Sequence, residues 1–198
     1  MVAPADRRRV VLGSTSPYRA QLLRRLLPDF EQAAPDTDES SRPGEPPAER
    51  ALRPAIAKAD AVADRYPDAL LIGSDQVAEI DGLSLDKPGT SERACAQLVA
   101  SSGRTVHFHT ALCLLDTRDG QRETHVDHTA VRFRVLQRAE IERYVAREQP
   151  WDCAGSFKCE GLGISLFCAI ESLDPSALVG LPLIALARLL RKAGIALP

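Results

Sequence analysis

The chain has 198 residues, 44% apolar and 26% charged, the balance of one folded domain with a sizeable core and not of a disordered tail. Twenty-seven acidic and 25 basic residues leave a net charge of −2, so no global basic field exists to coat a nucleic acid polymer. The longest apolar run, Ala177 to Leu190, is broken by Gly180, Pro182 and Arg188, which argues against a membrane span, and the start around Arg7, Arg8 and Arg9 does not read as a signal peptide.

Arg9-Val10-Val11-Leu12 reads as a short buried strand. Gly13-Ser14-Thr15-Ser16-Pro17 follows, with Ser16 suited to cap a helix and Pro17 to begin it. Leu22, Leu23, Leu26 and Leu27 then line one helical face. Residues 34–47 are acidic and rich in Pro, Ser and Gly, hence a loop. From Ala48 to Tyr66 the spacing of Leu52, Ile56, Ala59, Val62 and Ala63 is helical, and Pro54 inside it predicts a kink or a late start. Ala69 to Ile72 predicts a second short strand, ending at Gly73-Ser74-Asp75-Gln76. Thr90 opens a helix that ends near Gly103. Val106 to Leu115 and Thr124 to Val135 predict a hairpin across Asp119-Gly120. A switch of apolar positions from Val126 and Ala130 to Val131, Phe133 and Val135 predicts a bulge near Ala130. Ala139 to Arg147 reads as a helix, Cys153 to Phe167 as a Gly-rich loop and strand, and Leu183 to Lys192 as a helix stopped by Gly194. The expected fold is α/β with a mixed twisted sheet and flanking helices, in a single domain over residues 1–198.

Five candidate features carry chemistry. The turn from Gly13 to Arg19 leads a strand into a helix N-terminus, offering backbone N–H groups, the hydroxyls of Ser14, Thr15 and Ser16, and the Arg19 guanidinium to a phosphate; ordinary helix capping explains the same residues. Asp75 follows an apolar strand, where ligand clefts form in α/β sheets, and suits a metal or a water-activating base; a turn cap is the plain alternative. Glu39, within Asp36-Thr37-Asp38-Glu39-Ser40, is a metal candidate or part of a solvated acidic loop. Lys58 and Lys87 stand out where Arg fills all but four of the 25 basic positions. The segment Cys153 to Ile164 holds glycines that permit close approach of a ligand, or mark a bulged edge strand.

Absences narrow the chemistry further. The five cysteines form no C-x-x-C pair and fit no zinc spacing, so free thiols in a reducing cytoplasm are expected. All four histidines fall between His107 and His128, away from these features, and read as cross-strand surface residues. No nucleophile elbow exists. Carboxylate-plus-metal chemistry on an anionic substrate remains.

In order along the chain, Leu12-Gly13-Ser14-Thr15-Ser16-Pro17-Tyr18-Arg19, Asp38-Glu39, Ala57-Lys58-Ala59, Ile72-Gly73-Ser74-Asp75-Gln76, Asp86-Lys87-Pro88, Ala154-Gly155-Ser156-Phe157-Lys158, Asp174-Pro175 and Val179-Gly180-Leu181-Pro182-Leu183 resemble the Maf family of nucleotide pyrophosphatases. The resemblance spans about Val10 to Gly194; Ala20 and Asp86 depart from the pattern, standing where a second Arg and a Gly are expected. It implies two lobes around a deep cleft, a fold similar to that of inosine triphosphatases, often in a homodimer. It also implies hydrolysis of a nucleoside triphosphate to monophosphate and pyrophosphate with a divalent cation (Mg, Mn or Co) in the cytoplasm, with no polymer or membrane partner. By position, Asp75 matches the proton acceptor, Ser14, Arg19, Lys58, Lys87 and Lys158 match substrate-binding residues, and Glu39 with Asp75 matches the metal carboxylates.

Within the family, Tyr18, Gln76 and Glu160 resemble the 7-methyl-GTP branch, because the pyrimidine branch carries Arg, Thr and Gln at these positions. An N7-methylated guanine is positively charged, which suits an aromatic face and a carboxylate. Two alternatives stay open: a dTTP or UTP pyrophosphatase, and a nucleotide-binding regulator of septum formation without turnover.

Overall fold

The computed structural model describes residues 8–198; of the arginine-rich start, Arg7 lies outside the described residues, as does the greater part of the segment on which the signal-peptide reading rests. The elements are β1 (Arg9–Gly13), α1 (Pro17–Leu23), β2 (Glu31–Ala33), α2 (Pro47–Ala63), β3 (Ala69–Ile80), β4 (Leu83–Ser84), α3 (Ser91–Ser101), β5 (Thr105–Asp116), β6 (Arg122–Phe133), α4 (Arg138–Glu148), β7 (Phe167–Ser172) and α5 (Leu183–Lys192). They build a seven-stranded mixed sheet in the order β2-β1-β3-β5-β6-β7, with β4 paired on β3. β1 pairs in parallel with β2 and β3, and the pairs β3–β5, β5–β6 and β6–β7 are antiparallel.

The core has separate centres because the long strands serve different helices along their length. Leu70, Ile72, Leu112 and Leu114 pack with Leu22 and Leu23 of α1 and with Leu183, Leu186, Leu189 and Leu190 of α5. Further along the same strands, Ala78, Val106, Phe108, Val131 and Phe133 pack with Ala94 and Leu98 of α3 and Ile141 and Val145 of α4. Val11, Leu71 and Cys113 instead meet Ala59 and Val62 of α2.

Local chemistry explains the helix starts. Ser16 caps α1 by accepting from the Arg19 N–H, and Thr90 caps α3 by accepting from the Arg93 N–H. At α4 the cap is a reciprocal pair between Gln137 and Glu140.

Three expectations need correction. α2 does not start late: it begins at Pro47 and runs through the buried Pro54 as one helix, held by the face that Ala51, Ala55, Ala59 and Val62 bury. β3 does not end at Ile72 but continues to Ile80, so Asp75 sits within a strand and not after one. No bulge occurs at Ala130, since β5 and β6 pair in unbroken register from Thr105↔Arg132 to Leu115↔Arg122. The odd positions Asp127, Thr129, Val131 and Phe133 all face inward, two of them polar, while Val126 packs against the opposite-face cluster of Ala51, Ala55, Val77 and Ala111. The irregularity lies between Arg132 and Phe133, on the β7 side.

Candidate active site

A cleft of about 600 Å³ is lined by the β1–α1 turn, α2, the middle of β3, the Asp86-Lys87 loop, residues 152–160 and residues 178–180. It gathers Ser14, Tyr18, Arg19, Glu39, Lys58, Asp75, Gln76, Lys87 and Glu160 into one hollow. Lys158 is not among the lining residues: its Nζ donates to the Glu148 carbonyl at 2.9 Å.

The β1–α1 turn is stiffer and less open than its sequence suggests. The Ser14 N–H donates to the Leu12 carbonyl, the Ser16 N–H to Ser14 Oγ at 3.2 Å, and the Arg19 N–H to Ser16 Oγ at 3.3 Å. Gln32 of β2 donates to the Ser14 carbonyl at 2.7 Å, holding the turn from the far side. The N–H groups of Ser14, Ser16 and Arg19 are thus already taken within the turn. Arg19 Nε donates to the Gly180 carbonyl at 2.9 Å, which fixes the guanidinium with Nη2 3.9 Å from Asp75 Oδ1. Burial pushes the Arg19 guanidinium below its usual value, and Asp75 and Glu39 oppose that shift.

Lys58 is aimed by two glycines. A Cβ at Gly13 would lie 2.8 Å from the Lys58 carbonyl oxygen, so α2 presses directly on the sheet at this turn. Gly73 permits the same approach one strand over. The buried Lys58 then places Nζ 2.7 Å from Asp75 Oδ1 and 3.0 Å from Glu39 Oε1. Two carboxylates on one ammonium leave one negative charge over, which the Arg19 guanidinium 3.9 Å from Asp75 offsets, and removal of Asp75 would leave the buried Lys58 charge with less compensation.

Hard carboxylate oxygens are the donors a magnesium-like cation takes, one or two at a time, with substrate phosphates and waters filling its shell. Asp75 and Glu39 fit that pattern. Among the described residues no three His, Cys, Asp or Glu side chains are grouped to hold an ion.

Part of the cleft lining is acidic and aromatic. Tyr18, Asp152, Cys153, Phe157, Cys159 and Glu160 line it. Phe108, Phe133 and Phe167 pack edge-on around Phe157. Gly155 turns here with φ +74°, and a Cβ would press to 3.0 Å from the Phe108 ring. Ser156 donates to Gln97 Oε1, and Gln97 Nε2 donates to the Asp86 carbonyl at 2.8 Å, so this segment and the Lys87 loop are tied through α3. Burial pushes the Tyr18 hydroxyl well above its usual value, helped by Cys153 and Asp152.

Gln76 points to the opposite side of β3 from Asp75, as strand alternation requires. Its Nε2 donates to Thr110 Oγ1 and to the carbonyls of Ala177 and Leu178, at 2.9 to 3.1 Å. With Ser74 Oγ on the Gly180 carbonyl at 3.0 Å, it fastens the cleft wall. The histidines lie elsewhere: His107 Nδ1 and His128 Nε2 are 3.0 Å apart across the strands, and the His109 ring lies 5.2 Å from that of His128.

Arg50, Asp152, Gln32 and Phe108 were not legible as site residues. Arg50 is one Arg among many, here 3.0 Å from Asp86 at the cleft rim. Asp152 lacks any local pattern, and its neighbour across the cleft, Tyr18, is 134 positions away in a count from the sequence.

The sequence profile described as "Maf-like protein" matches residues 9–193. A protein named 7-methyl-GTP pyrophosphatase from Xanthomonas axonopodis pv. citri (strain 306) is 59% identical over 191 residues, covering 96% of this chain and 99% of that one. One of the same name from Burkholderia thailandensis is 56% identical over 189 residues, covering 94% of this chain and 88% of that one. Among solved structures, a HAM1 protein from Coxiella burnetii superposes with a TM-score of 0.48 at 19% identity, covering 93% of this chain and 99% of that one. Among the described residues no helix is long and apolar enough to cross a membrane.

Proposed function

The chain belongs to the Maf family, and from that premise we propose that it is a nucleoside triphosphate pyrophosphatase that converts 7-methyl-GTP to the monophosphate and pyrophosphate, its single domain spanning residues 1–198. The observation that carries this reading is one cleft whose lining joins the cations Arg19, Lys58 and Lys87 to the ring of Tyr18 and the carboxylate of Glu160. A triphosphate with a cationic base needs both kinds of group. The relatives named for 7-methyl-GTP support the base assignment. The five free cysteines suit a reducing, cytoplasmic setting.

The chemistry follows from those side chains. A triphosphate carries about four negative charges near neutrality, which repel an incoming water and must be offset. Arg19, held by Gly180, presents a planar fork to phosphate oxygens, while Ser14 Oγ donates a hydrogen bond and Lys87 reaches in from the rim. Asp75 and Glu39 hold the divalent cation, which when bound supplies further charge neutralisation at the phosphates. Lys58 keeps the Asp75 carboxylate oriented, and Asp75 accepts the proton of the attacking water. The α–β anhydride bond breaks, and the arginine and lysines offset the charge developing on the departing pyrophosphate. Tyr18 offers its ring face to the cationic base, and Glu160 accepts from the guanine amide and amino edge. Gln76 acts on base choice through the wall it fastens, since its amide donors are already taken.

The test is product identity. Incubation with 7-methyl-GTP and a divalent cation is expected to release pyrophosphate and 7-methyl-GMP, with release abolished by excess chelator. Orthophosphate as the product, or equal turnover in chelator, refutes the reading.

A further inference from the structure

Several carboxylates of this chain pair with a basic side chain: Asp116 with Arg8, Glu45 with Arg53, Asp86 with Arg50, and both Asp75 and Glu39 with Lys58. Asp152 and Glu160 do not. Both are exposed, both line the cleft, and among the described residues neither makes an ion pair. The ammonium nearest in sequence, Lys158, is committed to the Glu148 carbonyl. Each carboxylate is met instead by the thiol beside it: Cys153 Sγ donates to Asp152 Oδ1 at 3.5 Å, and Cys159 Sγ donates to Glu160 Oε2 at 3.3 Å. A thiol is a weak donor that leaves the carboxylate charge in place. Burial, then the adjacent carboxylate, pushes each of these thiols up to about 12, so both stay protonated and neither adds charge of its own at neutral pH. Two anions without an ion-pair partner in the lining of one hollow favour a cationic occupant over a neutral one.

We propose that Asp152 is a second specificity-determining residue, which with Glu160 brackets the base and selects nucleoside triphosphates whose base carries a fixed positive charge, the N-alkylated purines. The inference rests on the pyrophosphatase reading and extends it to a residue outside the motifs of that reading. Asp152 acts through its charge, which attracts the quaternised ring directly. Glu160 alone supplies one charge at one edge; the pair encloses it.

Asp152 is exposed, so its substitution leaves the core intact. Asp152→Asn and Asp152→Glu are assayed beside the wild type for pyrophosphate release from 7-methyl-GTP and GTP. The same proteins are titrated with 7-methylguanosine and guanosine, read by the fluorescence of Trp151, the single tryptophan, next to Asp152. In Asp152→Asn, kcat/KM for 7-methyl-GTP is expected to fall about tenfold while that for GTP changes by less than about threefold. 7-Methylguanosine binding weakens and guanosine binding does not, and Asp152→Glu recovers much of the loss. An unchanged ratio of 7-methyl-GTP to GTP, or equal losses on both, overturns the role of Asp152. A wild type that releases pyrophosphate from no triphosphate refutes the pyrophosphatase reading instead; the nucleoside titrations still judge Asp152, which fails if Asp152→Asn binds the methylated nucleoside as the wild type does.

Discussion

Gly73 and Ala55 approach so closely that a Cβ on Gly73 would lie 2.0 Å from the Ala55 carbonyl oxygen and 2.9 Å from the Ala59 nitrogen. The contact is backbone on side-chain-free backbone, and it sets how deeply α2 sits on β3. Lys58 is on α2 and Asp75 is two residues beyond Gly73, so the 2.7 Å ion pair between them depends on this depth.

Gly73→Ala is therefore expected to damage fold and site together. Backbone cannot move aside as a flexible side chain would, and overpacking of this kind costs about 1–3 kcal/mol or more. Calorimetry should show a lowered Tm, and turnover should fall with it. A variant with wild-type Tm and rate would mean that α2 slides freely on the sheet.

Asp75→Asn removes the proton acceptor together with one of the two carboxylates on buried Lys58, so its turnover is read beside its Tm. The amide keeps the shape but cannot accept a proton from water at neutral pH. Loss of a general base costs about 10²–10⁴-fold in turnover, while nucleotide binding, followed by calorimetry, should persist. If the variant keeps more than half the wild-type rate, Asp75 serves only to balance the Lys58 charge.

What was legible in the sequence was local. Ser16, Pro17 and Thr90 announce helix starts because a cap needs only a hydroxyl within three residues of a free N–H. The Asp119-Gly120 turn announces its hairpin for the same reason, with Gly120 at φ +73°. The three-residue β2 was hidden because its strand character comes from distant parallel pairing with β1. β3 was cut short because Gly73-Ser74-Asp75-Gln76 looks like a turn. In the fold each of those polar groups has a partner from another element: Ser74 and Gln76 take the carbonyls of the 177–180 wall, and Asp75 takes Lys58. The set of Ser14, Arg19, Lys58, Asp75 and Glu160 came from ordered motifs resembling a family. Motif order carried Lys158 along with them, although its ammonium turns away to Glu148, and gave no hint of Asp152.

Asp127 offers a pH test away from the cleft. It is 6% exposed, its Oδ1 has no hydrogen-bond partner, and His125 Nε2 is 3.9 Å from Oδ2. Burial, then the charge of Asp174, pushes its carboxyl above the usual value. A folded-state pKa above the unfolded one means the fold binds this proton more tightly. The stabilisation is full below the ordinary carboxylate range and is lost as pH rises through the folded pKa. Asp127→Asn, which removes the charge, should raise Tm at pH 7 relative to the wild type, and the gain should shrink toward pH 4. A gain equal at both pH values would show that charge burial is not its cause.

Base choice tests the account most directly. Pyrophosphate release is measured for 7-methyl-GTP, GTP, dTTP and UTP with the wild type and with Glu160→Gln. The account predicts the highest kcat/KM for 7-methyl-GTP in the wild type, and a narrower gap to the other three in Glu160→Gln, where one anionic edge is gone. A wild type that prefers dTTP or UTP, or a gap that Glu160→Gln leaves unchanged, would contradict the reading of the acidic, aromatic lining as the seat of a cationic base.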